Sequence, residues 1–152
     1  MQPVEIRAAT HEDYERLLDL YGRFVEDDVR FTSKDNDSFS KIIEQPHTHM
    51  DVAVIDGKVV GFIMYSSRTV FRYPRPIVEV EEFYVFDDHR RKGIGRALMD
   101  RVLSYAKSIR SSRIFLASAK ERTGAHAFYK AYGFEEYGYH YLMKLDSDST
   151  LT

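Results

Sequence analysis

The chain contains no cysteine, which excludes disulfides, thiolate metal sites and a cysteine acyl-enzyme. Any group it transfers must move directly or through another nucleophile. Tryptophan is also absent, and the aromatic content comes from 11 tyrosines and 10 phenylalanines, which suit a packed interior and an apolar cleft. No hydrophobic run approaches the length of a membrane span, and Met1-Gln2-Pro3-Val4-Glu5-Ile6-Arg7 lacks the apolar core of a signal peptide. A cytoplasmic protein with no membrane partner is the expectation. Neither sign of charge dominates: 22 Lys and Arg face 24 Asp and Glu, for a net charge of -2. A broad basic face is therefore missing, and nucleic acid is not an expected partner. The length of 152 residues suits one domain with a full core, read as residues 1–146 followed by a polar tail, 147–152.

Against that near-neutral background, positive charge is concentrated at Arg90, Arg91, Lys92 and Arg96, interleaved with Gly93 and Gly95. A strand-like run, residues 77–86, leads in, and Ile94, Ala97, Leu98, Val102, Tyr105 and Ile109 follow at helical spacing. This is a strand, a basic glycine turn and a helix start. The first amides of a helix lack internal partners and carry the positive end of its dipole, so such a turn attracts anions. A triphosphatase loop is excluded by spacing, since the lysine precedes the glycines and no Gly-Lys-Ser/Thr follows. A dinucleotide fingerprint would need a third glycine where Leu98 stands.

The rest of the chain reads as alternating elements. Residues 4–8 make a first strand, and Thr10 with Asp13 forms a capping box. The helix that follows places Tyr14, Leu17, Leu18, Tyr21, Val25 and Val29 on one face and ends in Glu26, Asp27 and Asp28, a cluster suited to attracting a cationic amine. A short helix covers residues 39–44, and His47 and His49 beyond Pro46 read as a surface loop without a third metal ligand. No metal site is expected. Asp56-Gly57 between apolar runs signals a hairpin with strands 52–55 and 58–70. In the run 77–86, apolar residues sit at even positions (Val78, Val80) and then at odd ones (Phe83, Val85), so the alternation slips around Glu81-Glu82. One extra residue there, a β-bulge, returns both halves to the core. Glu79, Glu81 and Glu82 are unexpected in such a strand and must be solvated, paired or shifted in pKa. A strand at 113–118, a helix at 123–132 ended by Gly133, and a closing pair of strands at 134–137 and 139–145 complete the pattern.

Arg-x-x-Gly-x-Gly at residues 90–95, directly after a strand, resembles the acetyl-CoA loop of the GNAT superfamily of N-acetyltransferases. Ala125-His126-Ala127-Phe128-Tyr129-Lys130-Ala131-Tyr132-Gly133-Phe134 resembles that family's Ala-x-x-Phe-Tyr-x-x-x-Gly-Phe segment. The resemblance runs in order from about Val4 to Leu145 and looks nearest to small-amine enzymes such as the diamine and aminoalkylphosphonate acetyltransferases. It implies an α/β (α+β) fold, a mixed and mostly antiparallel sheet of roughly six to seven strands with about four helices and a bulged central strand. It also implies acetyl-CoA as co-substrate, held by Phe83, Tyr84 and Val85 through the bulged strand and by Arg90, Arg91, Lys92, Gly93, Ile94, Gly95, Arg96 and Ala97 at the turn. Arg122 stands where many relatives have an Asn that contacts the cofactor, and with His126 it approaches the same ligand. Tyr129 matches the tyrosine near the CoA sulfur that acts as general acid.

Moving an acetyl group to an alkyl amine of pKa ~10 requires a base, because near neutrality nearly all of the amine is charged. By the same resemblance Glu81 ranks first and Glu79 second, either acting directly or through water. The leading expectation is direct attack by a small primary amine in a ternary complex, with Glu26, Asp27 and Asp28 at the substrate end and a homodimer as the assembly. A peptide N-terminus or lysine as acceptor, and a non-catalytic acyl-CoA sensor, are the alternatives.

Overall fold

The computed structural model describes residues 3–25, 36–86, 89, 90 and 92–145. Two compact units are distinguished, Met1–Leu116 and Ala117–Thr152. Among the described residues the first holds a five-stranded mixed sheet, in the order β1-β2-β3-β4-β5, and three of the four α-helices. Strands β1 (Glu5–Ala8), β2 (Thr48–Ile55), β3 (Lys58–Arg68) and β4 (Ile77–Val85) pair antiparallel in sequence order, and β5 (Arg113–Leu116) joins β4 in parallel.

The hairpin between β2 and β3 turns on Asp56 and Gly57, with φ of 51° and 76°, the left-handed pair that matches the twist of the flanking strands. On the capping box, the Thr10 N–H donates to Asp13 Oδ2 at 2.8 Å and starts a single 3-10 turn that runs into α1 (Tyr14–Val25). Burial alone would raise the Asp13 carboxyl, but two hydrogen bonds from Arg7 and those from Thr10 outweigh it and hold the group below its ordinary value. Helix α2 (Asn36–Glu44) joins α1 on one face of the sheet, where Leu17, Leu20, Phe39, Met50, Val52 and Phe62 form the core.

Helix α3 (Ile94–Ser108) contacts β2, β3, β4 and β5. Its buried stripe is Ile94, Leu98, Met99, Val102 and Ala106, with Tyr105 only half-buried. A polar cluster ties this helix to the sheet. Asp51 on β2, 2% exposed, accepts from Arg101 Nε at 3.2 Å, Arg101 Nη2 at 3.1 Å and the Tyr65 hydroxyl at 2.7 Å. His49 packs on Tyr65 and Tyr105, with ring centroids 5.1 and 4.3 Å away, and Ser67 Oγ lies 2.8 Å from the Tyr105 hydroxyl. The surface-loop reading holds for His47, exposed in the turn before β2, and is corrected for His49, because β2 begins at Thr48 and carries His49 into this half-buried cluster. Burial lowers the His49 pKa and keeps the ring neutral against the attraction of Asp51.

The second unit contains α4 (Thr123–Tyr132), ended by Gly133 at φ 126°. The expected closing strands are not formed. Residues 134–145 carry no regular secondary structure, and Tyr137, Tyr139, Tyr141, Leu142, Met143 and Leu145 are exposed. A strand requires a ladder partner, and the regular element of this unit is a helix, which satisfies its own backbone.

Candidate active site

Helix α3 begins on Gly93, whose φ of 81° and ψ of 4° are left-handed and cost a residue with a Cβ roughly 1 kcal/mol. No side chain caps this start, and no acidic residue stands in the first turn. The positive end of the helix dipole is therefore not neutralised from within, and Lys92 and Arg96 add exposed charge beside it. These features fit the phosphates of acetyl-CoA. Buried Ile94 anchors the turn, Gly95 and Ala97 are half-buried, and the Ala97 N–H closes the first turn on Gly93 O at 3.0 Å. Arg90 connects the turn to the sheet: its Nε donates to Val85 O at 2.9 Å, and its guanidinium lies 5.3 Å from the centroid of Tyr84. Arg91 lies outside the described residues.

The expected bulge is present in β4. Met64 pairs with Glu82 and Tyr65 with Val80, which leaves Glu81 as the extra residue. The β5 ladder stops at the same place, at Val80↔Leu116, so, among the described residues, 82–85 pair with β3 alone. Gly61 on β3 faces Val85 so closely that an added Cβ would sit 2.9 Å from Tyr84 O. That carbonyl points toward β3; the Val85 N–H of the same trans peptide therefore points away, to the edge that β5 does not reach. An extended ligand arm could add to this edge as a further strand, and the Val85 amide is oriented to donate to a carbonyl there.

The bulge also decides where the carboxylates go. Arg68, Ser66 and Met64 alternate along one face of β3, the face on which Met64 packs against the α1/α2 core. Arg68 Nη1 pairs with Glu79 Oε1 at 2.9 Å, Ser66 Oγ donates to Glu81 Oε1 at 3.1 Å, and Met64 is the register partner of Glu82. All three acids share that face, and a regular strand would have turned Glu82 to the α3 side. Glu81 is exposed, whereas Glu82 is half-buried, accepts a hydrogen bond from the Tyr21 hydroxyl and borders a cavity of about 150 Å³ among α1, α2, β2, β3 and β4. Burial, and secondarily the neighbouring Glu81, raise the Glu82 carboxyl against the lowering effect of Tyr21. Glu82 stood behind Glu81 and Glu79 on the sequence alone; the available signal was its place immediately after the slip in alternation. Glu26, Asp27 and Asp28 lie outside the described residues.

Arg122, His126 and Tyr129 belong to the second unit. Arg122 is the N-cap residue of α4, and His126 Nε2 lies 2.9 Å from Ala119 O. Tyr129 packs edge-on against Phe128 and Phe134, at 5.8 and 5.9 Å between centroids. Burial raises its hydroxyl above the ordinary tyrosine value, with Arg122 opposing, so the group keeps its proton near neutrality. Among the described residues, no three His, Cys, Asp or Glu side chains converge as metal ligands, and no helix is long and apolar enough to cross a membrane.

An uncapped basic helix start beside a bulged strand with an open edge defines a class of fold that holds an anionic, extended cofactor against a central sheet. The particular family follows from comparison: the model of the Acetyltransferase (GNAT) family matches residues 8–134, and the chain belongs to that family. An uncharacterized N-acetyltransferase of Methanocaldococcus jannaschii is 29% identical over 136 residues, 86% of this chain and 60% of that protein. The chain thus spans less than two thirds of that relative's length. The aminoalkylphosphonate N-acetyltransferase of Salmonella typhimurium is 25% identical over 136 residues, covering 90% of this chain and 88% of that one. In three dimensions, an aminoglycoside acetyltransferase from an uncultured soil metagenomic sample, solved with sisomicin, superposes with a TM-score of 0.81 at 19% identity, covering 94% of this chain and 97% of that chain. At that identity the likeness concerns the fold alone.

Proposed function

We propose that the chain is an acetyl-CoA-dependent N-acetyltransferase that acts on a small primary amine by direct attack in a ternary complex. The observation that carries this reading is the Glu82 carboxylate, poised between Tyr21 and a cavity on the strand whose edge opens beyond the bulge. Acetyl-CoA supplies the thioester; the α3 turn, with Arg90, Lys92 and Arg96, binds its phosphates, and residues 83–85 line its arm. Glu82 takes a proton from the bound ammonium, with Glu81 next to it as a route to water, while Glu79 is held in its pair with Arg68. The neutral nitrogen forms a bond to the acetyl carbon, and the carbon–sulfur bond breaks. The Val85 amide donates to the carbonyl oxygen as negative charge develops there. Tyr129, by its place in the motif, gives its proton to the departing thiolate and regains one through solvent as the acetylated nitrogen sheds its second proton, and Arg122 and His126 assist in holding the cofactor.

Calorimetric titration with acetyl-CoA, followed by a thiol-release assay against small amines, amino acids and short peptides, tests the proposal. Binding plus release on a small amine is the expected result. Release only on peptides would reassign the acceptor, and binding without release would mark an acyl-CoA sensor. Absence of binding would end the reading.

A further inference from the structure

We propose that the cavity on the α1/α2 face is the acceptor's side-chain pocket, and that it selects primary amines bearing a phenyl-sized or branched alkyl group close to the nitrogen. This rests on the acetyltransferase reading and narrows its substrate class. The cavity measures about 150 Å³, the size at which an apolar protein cavity accepts a benzene molecule. Its wall is Leu17, Leu18, Phe39, Ile42 and Phe62, with the Glu82–Tyr21 pair on one side and Ser38 on another. An apolar group placed among these side chains leaves its ammonium to meet Glu82, the one carboxylate of the lining among the described residues. The same wall disfavours other amines. A second ammonium or several hydroxyls would be buried against aliphatic and aromatic carbon with little to bond, and a phosphonate would face the Glu82 charge. This chain therefore diverges in acceptor from an aminoalkylphosphonate enzyme while sharing its fold.

The test is kcat/KM for methylamine, isobutylamine, benzylamine and 2-phenylethylamine, with putrescine and 2-aminoethylphosphonate as polar comparators. The expected series rises about four-fold per carbon buried up to phenyl size, with both comparators poor. Leu18→Phe, and Ser38→Phe on the exposed side of α2, should fill the pocket and shift the optimum to smaller amines. Turnover with a flat series, or with a polar comparator preferred, overturns the pocket assignment and leaves the acetyltransferase reading standing. No turnover with any amine overturns that reading instead. In that case calorimetry with 2-phenylethylamine decides: binding lost in both filled variants upholds the pocket, and no binding to the unaltered chain removes it.

Discussion

Replacing Glu82 by Gln separates a catalytic carboxylate from a merely structural one, because the two roles predict opposite changes in stability. Glutamine has nearly the same shape and still accepts a hydrogen bond from Tyr21, so the packing around the cavity is kept. What is lost is a charge that burial and Glu81 disfavour. A carboxyl with a raised pKa binds more protons in the folded state than in the unfolded state. Its stabilising contribution is therefore complete below the unfolded value of about 4.3 and is lost as pH rises through the folded pKa. At neutral pH the variant should consequently melt higher than the unaltered protein, and the difference should vanish in acid. Activity should move the other way. A positioned base contributes about 10²–10⁴-fold, and exposed Glu81 beside it can accept a proton through water, so the lower end applies. The expected loss in kcat/KM is about 10²-fold, equivalent to about 2.7 kcal/mol of barrier. The rise of activity with pH expected of the unaltered enzyme should also flatten. Scanning calorimetry and thiol-release kinetics across pH measure both quantities on one preparation. A lower melting temperature near neutrality, or activity within a few-fold of the parent with the same pH profile, would refute the reasoning.

Tyr129→Phe should lower kcat by about 10²-fold, since no proton remains for the thiolate, while acetyl-CoA affinity measured by calorimetry stays within a few-fold. Lys92→Glu places a negative charge just before α3 and should weaken acetyl-CoA binding about ten-fold at low salt, less as salt screens it; equal affinities would argue against the turn as the phosphate site. Asp51→Ala leaves the Tyr65 hydroxyl buried without its acceptor, whereas Arg101, with 43% of its side chain exposed, can turn to solvent. The cost should be about 2–3 kcal/mol in urea unfolding, or roughly 4–12 °C in Tm. A homodimer, proposed from the exposed aromatic segment 137–145, should appear as twice the chain mass in light scattering.

What the sequence determined by itself is what neighbouring residues decide. Asp56-Gly57 can take two consecutive positive φ angles, so the hairpin was legible before any packing was known. Thr10 and Asp13 bond within one turn, and Gly93 starts a helix with no acid in its first turn; the anion turn is readable for the same local reason. Even the bulge was written in the chain, because side-chain alternation has period two and slips only where a residue is extra. Tertiary structure decided the rest. The cavity beside Glu82 is assembled from residues as far apart as Tyr14 and Glu82, and no periodicity along the chain encodes that enclosure. Which acid faces it depended on the pairing of β3 with β4, which sends Glu79 to Arg68, Glu81 to Ser66 and Glu82 to Tyr21. His49 left its expected surface loop because Tyr65 and Tyr105 stack around it from other elements. Tyr139, Tyr141, Met143 and Leu145 alternate as a strand would, but alternation specifies a face and not a partner. Backbone pairing is a non-local event, and only the folded chain settles whether a ladder is there to join.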